Sequence, residues 1–309
     1  MRDIVIIVAI FGATLRAATP LMLAGCGELV VERSGVLNLG VEGMMLMGAA
    51  SGFAATIISS SLAIGFLAAI LAGIAISFIF GVITLRFLAN QVACGLAVTI
   101  FGTGLSAVIG DPFTAHSLRG LQSVIVPSLA RLPALEQQLL LIDPLVYFSI
   151  FVVISVHWFL FHTRSGLILR AIGESHDVAH ALGHHVVRVR FLAVLFGGAM
   201  SGLAGAYLSL VYTPMWVEQM TAGQGWIAVA LVVFSTWKPM WLLVGALLFG
   251  FVTIVQFQAE AFGLSVAPNL LAMLPYLATV VVLVLISRDA TRLKLNAPAA
   301  LGRAFHAIG

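Results

Sequence analysis

Nine stretches of almost unbroken apolar sequence limit what this chain can fold into more than any other feature. They fall at about 4–25, 36–58, 62–85, 91–109, 143–161, 191–211, 226–236, 241–258 and 270–287. Roughly twenty such residues are what an α-helix needs to cross about 30 Å of hydrocarbon. A helix also satisfies its own backbone hydrogen bonds, which lipid cannot do. The chain therefore reads as an all-α polytopic membrane protein with about nine transmembrane helices, eight to ten, some of them discontinuous. The run 226–236 is too short to cross without its neighbours. Charged residues make up only 9% of the 309, against about a quarter in soluble proteins. No stretch is polar enough for a separate soluble domain, so residues 1–309 are taken as a single transmembrane domain.

The basic residues orient it. With alternating crossings, one side collects Arg33, Arg86, Arg164, Arg170, Arg188, Arg190, Lys238, Arg288, Arg292, Lys294 and Arg303; the other collects Arg2, Arg119 and Arg131. The positive-inside rule places the first set in the cytoplasm. Residues 110–142 then form an external loop, 162–190 a cytoplasmic region and 288–309 a cytoplasmic tail. Basic residues at membrane flanks do not suggest nucleic acid. Cys26 and Cys94 lie in apolar surroundings and imply no disulfide framework. "LAGC" at 23–26 is similar to a lipoprotein cleavage box, but Arg16 interrupts the run before it and further spans follow, so the chain is read as uncleaved.

Polar groups inside this apolar sequence carry the information. "GELVVERSGVLNLGVEGMMLMG" at 27–48 places Glu28, Glu32, Arg33, Asn38 and Glu42 between apolar runs. We read Glu28, Glu32 and Arg33 as a short cytoplasmic turn. Asn38 and Glu42 lie beyond it, among Gly40 and Gly43, in a helix that the glycines break. A charge at a helix centre costs on the order of 2.5–3.5 kcal/mol on insertion scales. Glu42 must therefore face the bundle, a water-filled path or a helix discontinuity, and discontinuities are where transporters place substrate groups. The bland alternative is a satisfied structural carboxylate, for example paired with Arg16. The residues leave both open.

Other motifs say less. The two lysines, Lys238 and Lys294, follow no phosphate-cradling glycine loop. There is no His-Glu-x-x-His run and no Gly-x-Ser-x-Gly elbow, so no enzyme constellation is in view. His176, His180 and His184 line one helical face, with His185 adjacent, and read as surface residues of a connecting helix rather than a metal site. That helix is expected from Glu174 to Leu182, stopping at Gly183. In "GGAMSGLAGAYLSL", Gly198 and Gly202, with Ser201 and Gly205, form small-xxx-small pairs for close helix packing, within the chain or against a second subunit. Met44, Met45 and Met47 read as core filler.

The 27–48 stretch closely resembles the signature of permease subunits of bacterial ATP-binding-cassette importers for nucleosides and simple sugars, grouped with the ribose-type and branched-chain amino acid permeases. "ANQVACGLAVTIFGTGLSAVIG" at 89–110, "LRAIGESHDVAHALGHHVVRVRFLAVLFGGAMSGLAGAYLSL" at 169–210 and "GQGWIAVALVVFSTWKPMWLLVGALLFG" at 223–250 agree with it. The resemblance implies a type II importer-like bundle in the bacterial inner membrane, moving solute by alternating access. It also implies a second, paralogous permease, an external substrate-binding lipoprotein and a cytoplasmic ABC ATPase, which would bind the ATP and magnesium; no cofactor is expected in this chain. The region 162–190 is similar to the coupling region, with Glu174, Ala179, Leu182 and Gly183 at the matching positions. The His-rich "GESHDVAHALGHH" departs from relatives that carry Asn, Ala or Ile there. Asn38, Glu42, Asn90 and Gln91 are the candidates for the substrate pathway, since amides and a carboxylate can hydrogen-bond a solute that has left water. The rivals are an ion- or proton-coupled secondary transporter using Glu42 and Arg16 as a relay and, within the family, a branched-chain amino acid permease.

Overall fold

The computed structural model describes residues 2–118, 143–258 and 296–306, with 273, 277, 280 and 284 as single positions. In chain order the helices are α1 (Arg2–Arg33), α2 (Val41–Ser59), α3 (Leu62–Gly81), α4 (Gln91–Gly110) and α5 (Pro144–His162). They continue as α6 (Arg164–Glu174), α7 (His176–Ala181), α8 (Val186–Tyr207), α9 (Gln224–Phe234) and α10 (Pro239–Gln258). A π-helical turn prolongs α3 to Arg86 and another prolongs α8 to Tyr212.

Among the described residues, seven of these helices are long and apolar enough to cross a membrane. The run 226–236 forms part of the short α9, of 11 residues. The run 270–287, counted as a ninth crossing from the sequence, lies outside the described residues except at Met273, Leu277, Val280 and Val284, which are exposed. Residues 119–142 of the external loop, and 288–295 and 307–309 of the tail, also lie outside them.

Helices α1, α2, α3 and α8 form the centre, and small residues bring them together. A Cβ at Gly202 would collide with the Ala69 carbonyl of α3, one at Gly205 with the Met45 carbonyl of α2, and one at Gly198 with Ser77 of α3. Three positions on one face of α8 are therefore in close contact with two neighbours, the mode of packing available where lipid supplies no hydrophobic drive. The outer helices turn large apolar side chains outward, among them Ile100, Val108, Phe151 and Trp241, as a lipid-facing surface requires.

Overpacking of a close backbone contact costs about 1–3 kcal/mol or more. Gly202→Leu should therefore lower the thermal unfolding midpoint of the detergent-solubilised protein and its level in membranes. Gly104→Leu, where an added Cβ meets nothing within 4 Å, should leave both near wild type.

Candidate functional site

The chain does not turn at the end of α1 and leave. Residues 34–40 fold back against the bundle before α2 starts, with Gly35 at φ +88° in the left-handed region that glycine tolerates. Side chains satisfy this segment's backbone. Asn38 accepts from the Gly40 N–H at 2.9 Å through its own Oδ1, and its N–H donates to Glu28 Oε1 at 3.1 Å. The Leu37 N–H donates to Gln91 Oε1 at 2.8 Å, and Thr99 donates its hydroxyl to the Leu39 carbonyl at 2.9 Å. Asn38, Glu28 and Gln91 are buried, as irregular backbone at membrane depth demands. Asn90 stands apart: it is exposed, and its Oδ1 caps α4 by accepting from the Ala93 N–H at 3.0 Å.

Glu42, 7% exposed, lies in the first turn of α2 and reaches across to the start of α9. Its Oε1 accepts from the Thr221 hydroxyl and from the Gly223 N–H at 2.9 Å; its Oε2 accepts from the Gly225 N–H at 2.6 Å. A single carboxylate thus sits at two helix N-termini, its own and that of α9, both carrying the partial positive charge of unpaired N–H groups. Glycine at 225 permits this approach, because a Cβ there would meet the Glu42 backbone at 2.5 Å. From this junction α9 runs about 16 Å to the Ser235–Lys238 turn, which packs on the end of α1. That is about half of a bilayer's hydrocarbon thickness, so α9 is a half-length helix that starts inside the bundle, beside the start of the 19-residue α2. Arg16 is not the partner of Glu42. It pairs with Asp143, at the start of α5, at 2.8 Å.

The reading of Glu28, Glu32 and Arg33 as a water-exposed turn is corrected. Glu28 and Glu32 are fully buried, and Arg33 is 7% exposed. Trp237 donates its indole N–H to Glu32. Arg33 donates through Nε and Nη2 to the Trp237 carbonyl at 3.1 and 2.9 Å, and through Nη1 to the Asn296 carbonyl at 3.2 Å. A second buried guanidinium, Arg190 at the start of α8, donates to the Ser34 carbonyl at 3.0 Å, the Arg303 carbonyl at 3.2 Å and His176 Nδ1 at 3.2 Å. Main-chain bonds complete the knot: Ala300 N–H to the Gly173 carbonyl and Gly302 N–H to the Gly35 carbonyl. Tail residues 296–306 thereby bind the α1–α2 break to the 164–185 region.

That region forms two helices rather than one. Thr163 caps α6; Ser175 ends it and caps α7, which starts at His176 rather than Glu174. Gly183, at φ +86°, stops α7, with the His184 N–H returning to the Ala179 carbonyl at 3.1 Å. Ala179 points inward, packed with Ile172, Val186 and Phe305. Leu182 is 73% exposed and Val178 is also exposed, so they form an apolar outer tip. Glu174 accepts from the Ala299 N–H at 3.4 Å. His176 and His180 pack edge-on to the Phe305 ring, each at 5.3 Å. Among the described residues no three His, Cys, Asp or Glu side chains converge on a metal position.

Thr221, Trp237, Arg190 and the tail were not picked out from the sequence. Gly223 and Gly225 beside an apolar run too short to span were the available signal for the first; the others are read only from the fold.

The family described as branched-chain amino acid transport system / permease component matches residues 10–286. A Haloferax volcanii chain named as a glucose ABC transporter permease protein is 36% identical, over 96% of this chain and 97% of its own length. A guanosine ABC transporter permease protein of Bacillus subtilis is 31% identical, over 91% and 93%. A nucleoside ABC transporter permease protein of Lactococcus lactis is 28% identical, over 87% and 89%. Among solved structures, an inward-facing transporter of the metal-chelate ABC type shares the fold, with a TM-score of 0.50, 19% identity and coverage of 89% of this chain and 84% of the other.

Two measurements check this geometry. Glu42→Ala removes the acceptor for two backbone N–H groups and one hydroxyl, and bonds to a charged group are worth about 1.5–3 kcal/mol each. It should lower the thermal midpoint more than Glu42→Gln, which keeps one acceptor oxygen. At the tail, burial first and then the Arg190 guanidinium hold the His176 imidazole below its ordinary value of 6.5; Arg303 and His306 act in the same direction and Asp177 opposes them. The neutral ring accepts the Arg190 N–H. The contact is therefore at full strength above about pH 6.5 and weakens as the pH falls through the lowered value. Proteolysis of the tail should accelerate on acidification in wild type, and much less in His176→Asn.

Proposed function

The chain belongs to the permease family of branched-chain amino acid transport systems, and from that footing we propose that it forms the translocation path of an ATP-driven importer for a nucleoside or simple sugar, working by alternating access. The observation that carries this is the meeting, at Glu42 inside the bundle, of the start of α2 with the start of the half-length α9. Half-helices that start inside the bundle divide a membrane domain into parts able to rock against each other around a fixed site. The names of the relatives, glucose and guanosine permeases, favour a polar solute with hydroxyl groups.

Asn38, Glu42 and Gln91 then shape the walls of the path, since their acceptor oxygens already hold backbone groups. Asn90 marks the mouth of α4. The ATP and magnesium belong to a cytoplasmic cassette ATPase docked at the end that carries the basic residues, which the positive-inside rule places in the cytoplasm together with the C-terminus. Leu182 and Val178 meet that partner, Ala179 anchors α7 from behind, Gly183 ends it and Glu174 ties it to the tail. The path is completed by a paralogous permease, supported by two distinct guanosine permease proteins in Bacillus subtilis, and solute arrives from an external binding lipoprotein in the inner membrane of a bacterium.

A proton-coupled mechanism through Glu42 and Arg16 finds no support: both Glu42 oxygens hold α9 and its lead-in, and Arg16 holds Asp143. The test is energetic. Uptake of labelled guanosine or glucose in cells carrying this chain should vanish when the partner ATPase gene is deleted, and should persist through a brief proton-uncoupler pulse. Uptake that survives the deletion overturns the reading. Leu182→Asp should cut uptake about tenfold or more at unchanged membrane levels, because a charge on the docking tip is desolvated without a partner.

A further inference from the structure

A cleft of about 370 Å³ lies between α1, the end of α8, the start of α9 and α10. Its polar lining comes from Tyr212, Thr213, Gln224, Thr253 and Gln256, set among apolar residues. We propose that this cleft is a solute subsite for an uncharged, hydroxyl-rich molecule, and that Glu42 beneath it excludes solutes bearing a carboxylate. The proposal rests on the permease reading above and adds the residues that touch the solute.

The hydrogen-bonding state of the lining points to a ligand with O–H donors. Thr213 and Thr253 spend their hydroxyl hydrogens on the Leu208 and Phe249 carbonyls, at 3.1 and 3.0 Å. Their oxygens are left as acceptors. Gln224 Oε1 is buried and accepts from nothing among the described residues. A buried acceptor left unmade costs about 1–3 kcal/mol, and native proteins keep one where a ligand or ordered water completes it. Pro20, on the α1 wall, has no N–H to offer the Arg16 carbonyl one turn back. Acceptor oxygens of Thr213, Thr253 and Gln224 are thus open to hydroxyl donors, and the amide N–H groups of Gln224 and Gln256 can return a bond, which suits sugar or ribose hydroxyls. The volume falls in the range of small-molecule sites, about 300–1,000 Å³.

Charge decides what is refused. No Asp, Glu, Lys or Arg lines the cleft. The start of a half-helix is ordinarily an anion site, and here its N–H groups at Gly223 and Gly225 are already taken by Glu42. Gln224, the cleft's unpaired acceptor, lies between those two glycines in the chain. An amino acid entering the cleft would bring its carboxylate toward an occupied N-terminus and a fixed negative charge, with no cation in the lining to pair it. Stripping that carboxylate of water without compensation is penalised; a neutral hydroxyl-rich solute meets no such cost. The cleft also lies on the right route. Thr213 is exposed at the end of the bundle opposite the Arg33 end, while Gln224 lies at the junction with Glu42.

The test uses cells expressing the intact transporter. Thr253→Cys places a thiol on the cleft wall, and its reaction with a membrane-impermeant thiosulfonate is read against the background from Cys26 and Cys94. Guanosine or D-glucose should slow the labelling and leucine should not. Adding Gln224→Leu should raise the half-protecting concentration about three- to tenfold, the loss of one neutral hydrogen bond. If Gln224→Leu fails to reach the membrane, Gln256→Leu at the more open end of the lining decides, with the same expected shift. Labelling unaffected by either neutral solute, protection by leucine equal to theirs, or an unshifted concentration in the variant overturns the subsite. Wild-type uptake separates the two readings: uptake of guanosine or glucose without protection sinks the subsite alone, whereas uptake of neither sinks the transport reading on which it rests.

Discussion

The carboxylate of Glu42 is the interaction on which the rest of the bundle depends. Two helices begin inside the protein, and each presents unpaired N–H groups and a partial positive charge there. Left alone, those ends would repel and their donors would go unsatisfied. One side chain answers both: it lies in the first turn of α2 and accepts from Thr221, Gly223 and Gly225 at the head of α9. The half-length of α9, the return of residues 34–40 into the bundle and the position of the polar cleft all follow from that meeting point.

At the far end of α9, beside the end of α1, the problem is reversed. Broken backbone there exposes carbonyl groups, and the two buried guanidiniums supply the donors. Arg33 serves the Trp237 and Asn296 carbonyls; Arg190 serves those of Ser34 and Arg303. Arginine acts here less as an ionic partner than as a many-pronged donor in a fixed plane. Because Arg190 also holds His176, a displacement of α7 is passed directly to the residue after α1 ends. Surface and interior are joined by hydrogen bonds rather than by a long lever.

Much of this was legible locally. Length and hydropathy place seven of the expected spans, because each helix in lipid must be long, apolar and self-bonded. The shortness of 226–236 already marks it as unable to cross alone, and Gly183 marks the stop of α7. The chemistry at the breaks was not legible. Glu28, Glu32 and Arg33 look like a hydrated turn because their charges are close in sequence, while the groups that Glu32 and Arg33 bond, Trp237 and Asn296, lie more than 200 residues away. Arg16 is one partner the sequence offers Glu42, yet in the fold it pairs with Asp143. Local pattern reports how polar a residue is; it does not report which distant backbone group needs it.

The docking of residues 296–306 sets an order of assembly. Phe305, Arg303, Gly302 and Ala300 are all needed to close the pocket around His176, Gly173 and Gly35, yet they are the last of the described residues to be synthesised. The surface helix α7 and the break after α1 must therefore wait, inserted but unlatched, until residues 296–306 have been made and have left the ribosome. A nascent chain has its preceding helices before it has this latched surface, so any partner that recognises the latched form is barred from unfinished copies.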